Sequence, residues 1–404
     1  MTNGSDELIY LDHAATSWPK ADGVTWAMAE AVELGNPGRG GHRLSRAAAA
    51  VADRTRAALA GVLGEADPAR VVFTAGCTDS IHTAIVGAVS ACERDERGMV
   101  PGVVVSGVEH NAVTRTVAAL ERAGRVRMVE VPVDASTRVD PEAVVAACDE
   151  RTRLVCVLHA SNVTGVVQPV EAIGALLRER WPGAMLMVDA AQTVGAMPLD
   201  VRGLGADLLA FGSHKGLRGP TGIGGLWVGK RAWVEGVRRI VSVRQGGTGT
   251  ASEGDAMPDV LPLAFESGSA NLPAIAGLGA AVGGHDPEAI GRTRELARVL
   301  LETLRERLGD ALTVYAHERG SDFADALPTI AMNLAGWDAG DLAEVLDASF
   351  GIAVRAGLHC SPRCHRAMGT LEGGGCLRVS LGSTTSEDDA RRLVGALVAV
   401  AGSA

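Results

Sequence analysis

The chain has 404 residues, a formal net charge of −10 and a pI near 5.5, so it lacks the clustered cations that nucleic-acid binding requires. Hydrophobic residues make up 47% and charged residues 21% of the sequence, which at this length is typical of a globular protein with more than one domain. No apolar run is long enough to span a membrane, and the stretch MTNGSDELIYLDHAATS does not resemble a signal peptide, so we expect a cytoplasmic protein with no membrane or nucleic-acid partner.

Apolar runs and helical segments alternate regularly from Val71 to Phe211. Continuous apolar runs are typical of strands that are buried on both faces of a parallel sheet. The segments between them carry helix-start signals, for example Asp140 followed by Pro141. The runs are VVF (71–73), VVV (103–105), LVCVL (154–158), MLMV (185–188) and LLAF (208–211). This alternation predicts a layered α/β domain.

The pattern changes after about Asn271. The amphipathic segment HDPEAIGRTRELARVLLETLRERL predicts a long helix, and TIAMNL, GIAVRAG and CLRVSLG predict strands. A closing helix follows Ser386, which has capping-box spacing to Asp389. We therefore expect a large α/β domain over residues 15–270 and a smaller α+β domain made of residues 1–14 and 271–404.

Polar side chains follow the predicted strands at the points where the strands end. Because the carboxyl ends of parallel strands meet at one edge of a sheet, these side chains are expected to converge on a ligand crevice. The turn before Thr78 contains glycine and leads into a helix, whose first N–H groups suit a phosphate. The polar side chains at the strand ends are Thr78, Glu109, His110, Asn111, His159, Asn162, Asp189, Gln192, His214 and Lys215.

Lys215 suggests which ligand this crevice takes. The sequence contains three lysines against 35 arginines, and only lysine can lose its proton to become an amine nucleophile. A Schiff-base lysine, a buried carboxylate at Asp189, a flat side chain at His110 and a phosphate seat together fit pyridoxal 5′-phosphate (PLP), with Gln192 near its phenolic oxygen. The first βα turn has no G-x-G-x-x-G, which argues against a nicotinamide cofactor.

Several stretches, in order along nearly the whole chain, resemble one known family. The sequence resembles the fold-type I, class V aminotransferase-like PLP enzymes, specifically their cysteine desulfurase and selenocysteine lyase branch. The resemblance implies a large domain with a mostly parallel sheet flanked by helices, plus a smaller α+β domain. The stretches are YLDHAATSWPK, NPGRGGHRLSRAA, FTAGCTDSIH, EHNAV, HASNVTG, VDAAQTVGAMPLD, SHKGLRGPTGIGGLWV, FESGSANLPAIAGL and GIAVRAGLHCSP.

The resemblance also implies roles for individual residues. Lys215 would be the Schiff-base lysine, His110 would stack on PLP and assist acid–base catalysis, and Cys360 would carry a persulfide. The implied cofactor-binding residues are Thr78, Cys77, His110, Asp189, Gln192, His214, Lys215 and, from the other subunit of a homodimer, Ser269. The implied substrate-binding residues are Asn162, Arg378, Ala14 and His42.

The implied function is that of a cysteine desulfurase, which converts L-cysteine to L-alanine and passes the persulfide sulfur to an acceptor protein. His359 and nearby cations would favour the thiolate of Cys360. A C–S lyase that cleaves cysteine or a cysteine S-conjugate by β-elimination is the alternative, and a selenocysteine lyase is a close variant. The natural substrate is left open by departures from the family pattern, since Cys77 replaces the usual threonine and the loop 361–375 carries a second thiol at Cys364.

The cysteines favour free thiols over a disulfide framework, because their number, seven, is odd and the expected location is reducing. Cys360, Cys364 and Cys376 lie close together in the sequence, with His359 and His365 beside them. Their C-x3-C-x11-C spacing lacks the C-x2-C pair of common structural zinc sites, so we expect no metal.

Overall fold

The computed structural model describes residues 8–38, 40–92, 99–234, 237–250 and 253–402, so residues 1–7 of the expected small-domain segment 1–14 lie outside the described part. The β-strands, numbered in chain order, are β1 (Ile9–Tyr10), β2 (Val71–Thr74), β3 (Gly102–Ser106), β4 (Arg127–Val131), β5 (Thr152–Leu158), β6 (Met185–Asp189), β7 (Leu208–Gly212), β8 (Gly224–Val228), β9 (Trp233–Val234), β10 (Val237–Arg238), β11 (Leu312–Tyr315), β12 (Thr329–Leu334), β13 (Ile352–Ala353), β14 (Arg355–Gly357) and β15 (Cys376–Ser380). The α-helices are α1 (Val24–Val32), α2 (Arg43–Val62), α3 (Cys77–Ser90), α4 (Asn111–Arg122), α5 (Pro141–Ala146), α6 (Val170–Arg180), α7 (Leu272–Gly283), α8 (Ala289–Leu308), α9 (Ala339–Phe350), α10 (Pro362–Ala367) and α11 (Glu387–Ala401).

The large domain is built on a sheet that has seven strands in the described part of the chain, in the order β2-β8-β7-β6-β5-β3-β4. The five neighbouring strands from β4 to β7 are parallel, whereas β8 runs antiparallel to both β7 and β2. The mostly parallel α/β fold predicted from the apolar runs is thereby confirmed. All five runs form strands of this sheet.

Alternate residues of the central strands enter two separate cores, one on each face of the sheet. In β5, Leu154 and Cys156 pack with the side chains of α3 and α4, whereas Val155 and Val157 pack with those of α2, α6 and α7. This two-residue period arises because successive side chains of a strand point to opposite faces. Both faces are covered by helices, so the strands contain almost no polar residues before their ends.

β8 contains consecutive glycines, and one of them is required by its neighbour. A Cβ atom at Gly225 would lie 2.3 Å from the ring of Phe211, which is opposite it on β7. Only glycine allows the Phe211 ring to cover the strand at this point. The lack of a side chain at Gly225 therefore allows β7 to pair closely with β8, and the polar segment 213–215 follows directly from β7.

The smaller domain has an antiparallel sheet in the order β11-β12-β15-β14, covered by α8, α9 and α11. The N-terminal strand β1 joins it by pairing with β13, and the predicted capping box of Ser386 and Asp389 begins α11. The expected boundary at residue 271 differs from the packing, because α7 contacts α1 and α2 and contributes Ile275 and Leu278 to the core of the large domain. By packing, the smaller domain resumes after α7.

Within the described ranges, every helix is too short or too polar to cross a membrane.

Candidate active site

The carboxyl ends of the parallel strands open onto a cavity of about 850 Å³ between the two domains. This is the edge at which the sequence predicted a ligand crevice, and the volume lies within the usual range for small-molecule and cofactor sites. The cavity brings together most of the predicted site residues: Ala14, Cys77, Thr78, His110, Asn162, Asp189, Gln192, His214, Lys215, Cys360 and Arg378.

Two predicted site residues of the described chain lie elsewhere. His42 precedes α2 and caps it, since its Nδ1 accepts a hydrogen bond from the Ser45 N–H at 3.3 Å. Ser269 lines a neighbouring cavity of about 770 Å³, where its hydroxyl accepts a hydrogen bond from Asn36 Nδ2 at 3.0 Å. The two cavities share Gly222 in their walls, so Ser269 lies close to the candidate site without lining it.

Lys215 follows β7 at the base of the cavity. Burial lowers the pKa of its amine, and the nearby Cys77 and Asp189 partly oppose this effect. A lowered pKa increases the fraction of neutral amine, which is the nucleophilic and proton-accepting form. The backbone is held by Ser17, whose hydroxyl donates to the Lys215 carbonyl oxygen at 2.6 Å.

Asp189 is the last residue of β6, and its carboxylate is buried next to Lys215. Oδ1 accepts hydrogen bonds from the Ala191 N–H at 3.0 Å and from the Cys77 thiol at 3.5 Å. The Cys77 thiol therefore donates to a carboxylate at the base of the cavity. The sequence showed only that a cysteine stands where the family usually has threonine, and it did not show this contact. A buried carboxylate with these few partners is suited to hold a cationic ring nitrogen.

The N-terminus of α3 offers a seat for an anion. Gly76 precedes the helix with a φ of 146°, no side chain in the described chain caps it, and the Thr78 side chain is exposed beside it. The ring of His214 faces the same cavity, and its buried Nδ1 has no hydrogen-bond partner among the described residues. An acidic residue in this first turn, Asp79, is paired with Arg244 at 2.9 Å, which reduces its repulsion of an anion.

His110 precedes α4 and caps it. Its Nδ1 accepts a hydrogen bond from the Ala112 N–H at 3.0 Å, which fixes the ring and leaves Nε2 for the cavity. Burial lowers the pKa of His110, with the Asp189 carboxylate opposing the shift. A neutral, oriented imidazole of this kind can stack on a ring or transfer a proton.

Ala14 lies where the two domains meet. Its N–H donates to Ser380 Oγ at 2.9 Å in the smaller domain, and its carbonyl oxygen accepts from Gln192 Nε2 at 3.0 Å in the large domain. The side-chain amide of Gln192 is thus oriented at the cavity wall by a backbone group from the N-terminal segment.

Cys360 is exposed on the loop between β14 and α10, and the loop is tied to the large domain at several points. The Cys360 carbonyl oxygen accepts from the Asn111 N–H at 2.8 Å. Asn162 Nδ2 donates to the His359 carbonyl oxygen at 2.6 Å, and Asn162 Oδ1 accepts from the Ser361 hydroxyl at 2.8 Å. Asn162 was predicted to hold a substrate carboxylate, but both ends of its amide bind the Cys360 loop.

Both residues at the tip of this loop have left-handed backbone conformations, with φ of 48° at His359 and 58° at Cys360. Such conformations are disfavoured for residues with a Cβ and persist where neighbouring contacts hold them. The expectation that His359 assists the Cys360 thiolate as a cation is not supported. Burial, together with Arg378, lowers the pKa of His359 to about 3, and its ring faces His365.

Arg378 on β15 is almost completely buried at the cavity wall. It forms an ion pair with Asp12 and donates to the Asn162 carbonyl oxygen at 2.8 Å. Its Nε has no hydrogen-bond partner among the described residues, so part of the guanidinium is left for a ligand. Arg355 on β14 also lines the cavity. It pairs with Arg378 of β15 in the sheet, so two guanidinium groups lie on this wall.

Sequence reasoning assigned no role to Asp12, Arg355 and Glu109. Asp12 is within the stretch YLDHAAT, which was the available signal, and Arg355 is within GIAVRAG. Glu109 is completely buried beside His110; its Oε1 accepts from the Leu158 N–H at 2.7 Å and from the Ser106 hydroxyl at 2.6 Å. Burial raises the pKa of Glu109 to about 8, so its carboxyl is largely protonated at neutral pH.

Comparisons with known proteins agree with this geometry. A probable cysteine desulfurase from Methanothermobacter thermautotrophicus is 32% identical over 399 residues, which cover 98% of this chain and 95% of that protein. A probable cysteine desulfurase from Halalkalibacterium halodurans is also 32% identical, over 89% of this chain and 85% of its own length.

Among solved structures, the apo cysteine desulfurase from Thermococcus onnurineus has a TM-score of 0.86 at 26% identity, over 98% of this chain and 96% of that one. Cysteine desulfurase CsdA from Escherichia coli has a TM-score of 0.81 at 26% identity, over 98% of this chain and 95% of that one. The family model for aminotransferase class-V matches residues 9–393, and the chain therefore belongs to the class-V aminotransferase family.

Proposed function

We propose that this protein is a PLP-dependent cysteine desulfurase. It would convert L-cysteine and the Cys360 thiol into L-alanine and a persulfide on Cys360. The observation that carries the proposal is that the Cys360 loop and Lys215 line one cavity in a protein whose relatives are named cysteine desulfurases. The relatives give no support to the β-elimination alternative.

The residues at the base of the cavity fit PLP. Lys215 would bind its aldehyde, Asp189 its ring nitrogen and Gln192 its phenolic oxygen, and the N-terminus of α3 would receive its phosphate. The buried Nδ1 of His214 that has no partner among the described residues supports this fit, because a phosphate oxygen would satisfy it. When bound, PLP withdraws electrons from the Cα atom of an amino acid and so makes its proton acidic.

The protein's own groups would then act in sequence on the substrate. Arg378 and Arg355 would bind the cysteine carboxylate and fix the orientation of the Cα–H bond. Lys215 Nζ, which has a lowered pKa, would take the Cα proton and return it during alanine formation. His110 would position the reacting groups through its fixed ring and hold a proton at Nε2.

Sulfur transfer would take place at the tip of the loop. The Cys360 sulfur would attack the substrate sulfur as a thiolate, forming a sulfur–sulfur bond while the Cβ–S bond breaks and leaves its electron pair on the substrate carbon side. The proton that the Cys360 thiol gives up would end on Cβ, which becomes the methyl group of alanine. The products, L-alanine and Cys360–S–SH, contain all the atoms of L-cysteine and the Cys360 thiol. The ties from Asn162 and Asn111 would limit where the Cys360 sulfur can reach.

A homodimer and a sulfur-acceptor protein are part of the proposal. Trp26 and Val32 on α1 are 69% and 64% exposed, and apolar residues at such exposure are suited to contact a second subunit. Ser269, at the neighbouring cavity, would complete the partner's phosphate seat. All seven cysteines are free thiols in the described chain, which fits the reducing cytoplasm.

The test is to incubate the PLP-loaded protein with L-cysteine and dithiothreitol and to measure alanine, sulfide and pyruvate together. We expect equal amounts of alanine and sulfide from the wild type, and neither product from Cys360→Ala, while the variant keeps the visible absorbance of PLP. Pyruvate without alanine, at the same rate in both proteins, would refute the desulfurase and favour the lyase. Cys92→Ala is the control, because it removes a half-buried thiol that does not line the cavity.

A further inference from the structure

Three buried side chains converge directly beneath the Cys360 loop. His359 lies on the loop, His365 is on α10 and Cys376 is the first residue of β15. The three side chains are 3%, 0% and 0% exposed, respectively. One ligand atom of each lies within 4.8 Å of the others, and in the described part of the chain they are the one group of this kind.

The separation of the two histidine nitrogens fits the coordination shell of a zinc ion, and the Cys376 sulfur lies within 4.8 Å of both. His359 Nδ1 and His365 Nε2 are 3.3 Å apart. Two nitrogens bound to one tetrahedral zinc at about 2.0–2.1 Å lie roughly 3.3–3.4 Å apart, and a thiolate sulfur at about 2.3 Å from the ion lies roughly 3.6 Å from each nitrogen. The two histidine nitrogens are therefore already at the separation that binding to one shared ion requires.

The outer nitrogen of each ring has a hydrogen-bond partner that orients the ring. The Nε2 of His359 lies 3.4 Å from the Arg355 carbonyl oxygen, which can only accept, so this nitrogen bears the proton and donates. The Nδ1 of His365 lies 2.8 Å from Thr370 Oγ1, and the same hydroxyl lies 3.4 Å from the His365 carbonyl oxygen, so Thr370 fixes the ring and leaves Nε2 facing His359.

The two inward-facing nitrogens are 3.3 Å apart, and in the tautomer in which His365 Nδ1 donates to Thr370 both of them have lone pairs for a cation. Backbone and hydroxyl partners that orient imidazoles in this way are typical of histidines that bind metal.

We propose that His359, His365 and Cys376 form a binding site for Zn²⁺. Neutral imidazoles and a thiolate are the nitrogen and sulfur ligands that zinc prefers, and binding would release the Cys376 thiol proton to solvent. The ion would join the Cys360 loop, α10 and β15 by three bonds. It would thereby hold the loop in place without taking part in the chemistry at Lys215, so the site is independent of the proposed desulfurase activity.

This assignment replaces the expectation of no metal. The ligand pattern is H-x5-H-x10-C, so a search for paired cysteines did not reveal it. Cys360 and Cys364, which drew attention to the segment, are not among the three ligands. Strand β15 supplies the sulfur by placing Cys376 below the loop.

The first experiment measures zinc content. The full-length, PLP-loaded protein is stripped with a chelator, supplied with Zn²⁺, desalted and analysed by plasma mass spectrometry. We expect one zinc ion per chain in the wild type and in the thiol controls Cys360→Ala and Cys148→Ala. In Cys376→Ala and His365→Gln, zinc affinity is expected to fall by at least about tenfold, since even the loss of a partner outside the coordination shell costs that much. A wild type that retains no zinc, or equal affinity in Cys376→Ala, overturns the proposal.

The second experiment does not depend on the variants folding. Co²⁺ replaces zinc in the wild type and in Cys360→Ala, and the difference spectrum against the zinc-loaded protein removes the absorbance of PLP. We expect a thiolate-to-cobalt charge-transfer band and the visible bands of tetrahedral cobalt in both proteins. Absence of the charge-transfer band, or its loss in Cys360→Ala, overturns the assignment of Cys376 as the sulfur ligand.

Discussion

The Asn162 side chain donates a hydrogen bond of 2.6 Å to the His359 carbonyl oxygen, so a residue of the large domain holds the loop that carries Cys360. The same amide accepts from Ser361 at 2.8 Å. The residues on both sides of Cys360 are therefore held by a side chain outside their own domain. Four predictions follow from this and the other contacts of the cavity.

Replacing Asn162 is expected to loosen the Cys360 loop. Asn162→Ala leaves the buried Ser361 hydroxyl and His359 carbonyl without a partner, which costs about 1–3 kcal/mol of unfolding free energy. Alkylation of Cys360 by iodoacetamide should become faster, and kcat should fall more than KM changes. The control is Gln168→Ala, which removes a buried amide that does not line the cavity; equal alkylation rates in both variants would contradict the role of Asn162.

Lys215 is expected to be the residue that binds PLP covalently. After borohydride reduction of the PLP-loaded protein, peptide mass spectrometry should find the pyridoxyl adduct on Lys215. Lys215→Arg should carry no adduct and no activity, because a guanidinium keeps the charge but cannot act as the neutral nucleophile. Lys230→Arg changes an exposed lysine and should behave as wild type. An adduct that persists in Lys215→Arg would refute the assignment.

The charge of Asp189 is expected to matter more than its hydrogen bonds. Asp189→Asn keeps the shape and an acceptor for the Ala191 N–H but removes the negative charge beside the proposed ring nitrogen. We expect kcat to fall by about 10²–10³-fold while PLP still binds, as for other losses of one charge-stabilising group. Cys77→Ala removes only the 3.5 Å thiol contact to Asp189 and serves as the comparison. Equal losses in the two variants would show that the charge is not the cause.

Glu109 is expected to make stability fall as pH rises. Burial raises its pKa from the ordinary value of 4.5 to about 8, so between these values the folded protein binds a proton that the unfolded chain releases. The contribution is fully present below pH 4.5, declines by at most about 1.4 kcal/mol per pH unit and is lost above pH 8.

Glu109→Gln, which cannot titrate, should gain stability relative to wild type as pH rises from 6 to 8, measured by urea unfolding. The difference in unfolding free energy between the two proteins is used, because the contributions of the other titrating groups cancel in it. The exposed Glu142→Gln is the control. A constant difference across this pH range would contradict a raised pKa at Glu109.

Much of the large domain could be predicted from the sequence because its central strands are buried on both faces. β3, β5, β6 and β7 appear as continuous apolar runs for that reason. β4 was missed, since it is an edge strand whose residues are mostly half-buried and whose sequence RMVEV mixes charged and apolar residues. The place of α7 was also missed, because an apolar helix does not indicate which core it joins.

The site residues show the same limit. Motifs and strand ends indicated Lys215 and Asp189, since their chemistry depends on residue type and position in the chain. The partners of Asn162 could not be predicted, because they come from a distant loop: His359 is 197 residues further along the chain. The facing rings of His359 and His365 depend on how α10 turns back under the loop, which no local pattern encodes.

The two hydrogen bonds of Ala14 have a mechanical consequence. The N–H of this residue is bonded to Ser380 on one side of the cavity, and its carbonyl oxygen is bonded to Gln192 on the other. Rotation of one domain against the other must lengthen one of these bonds or turn about them, so Ala14 is a pivot. Any change in the angle between the domains would therefore alter the backbone at residue 14, four residues after the end of β1.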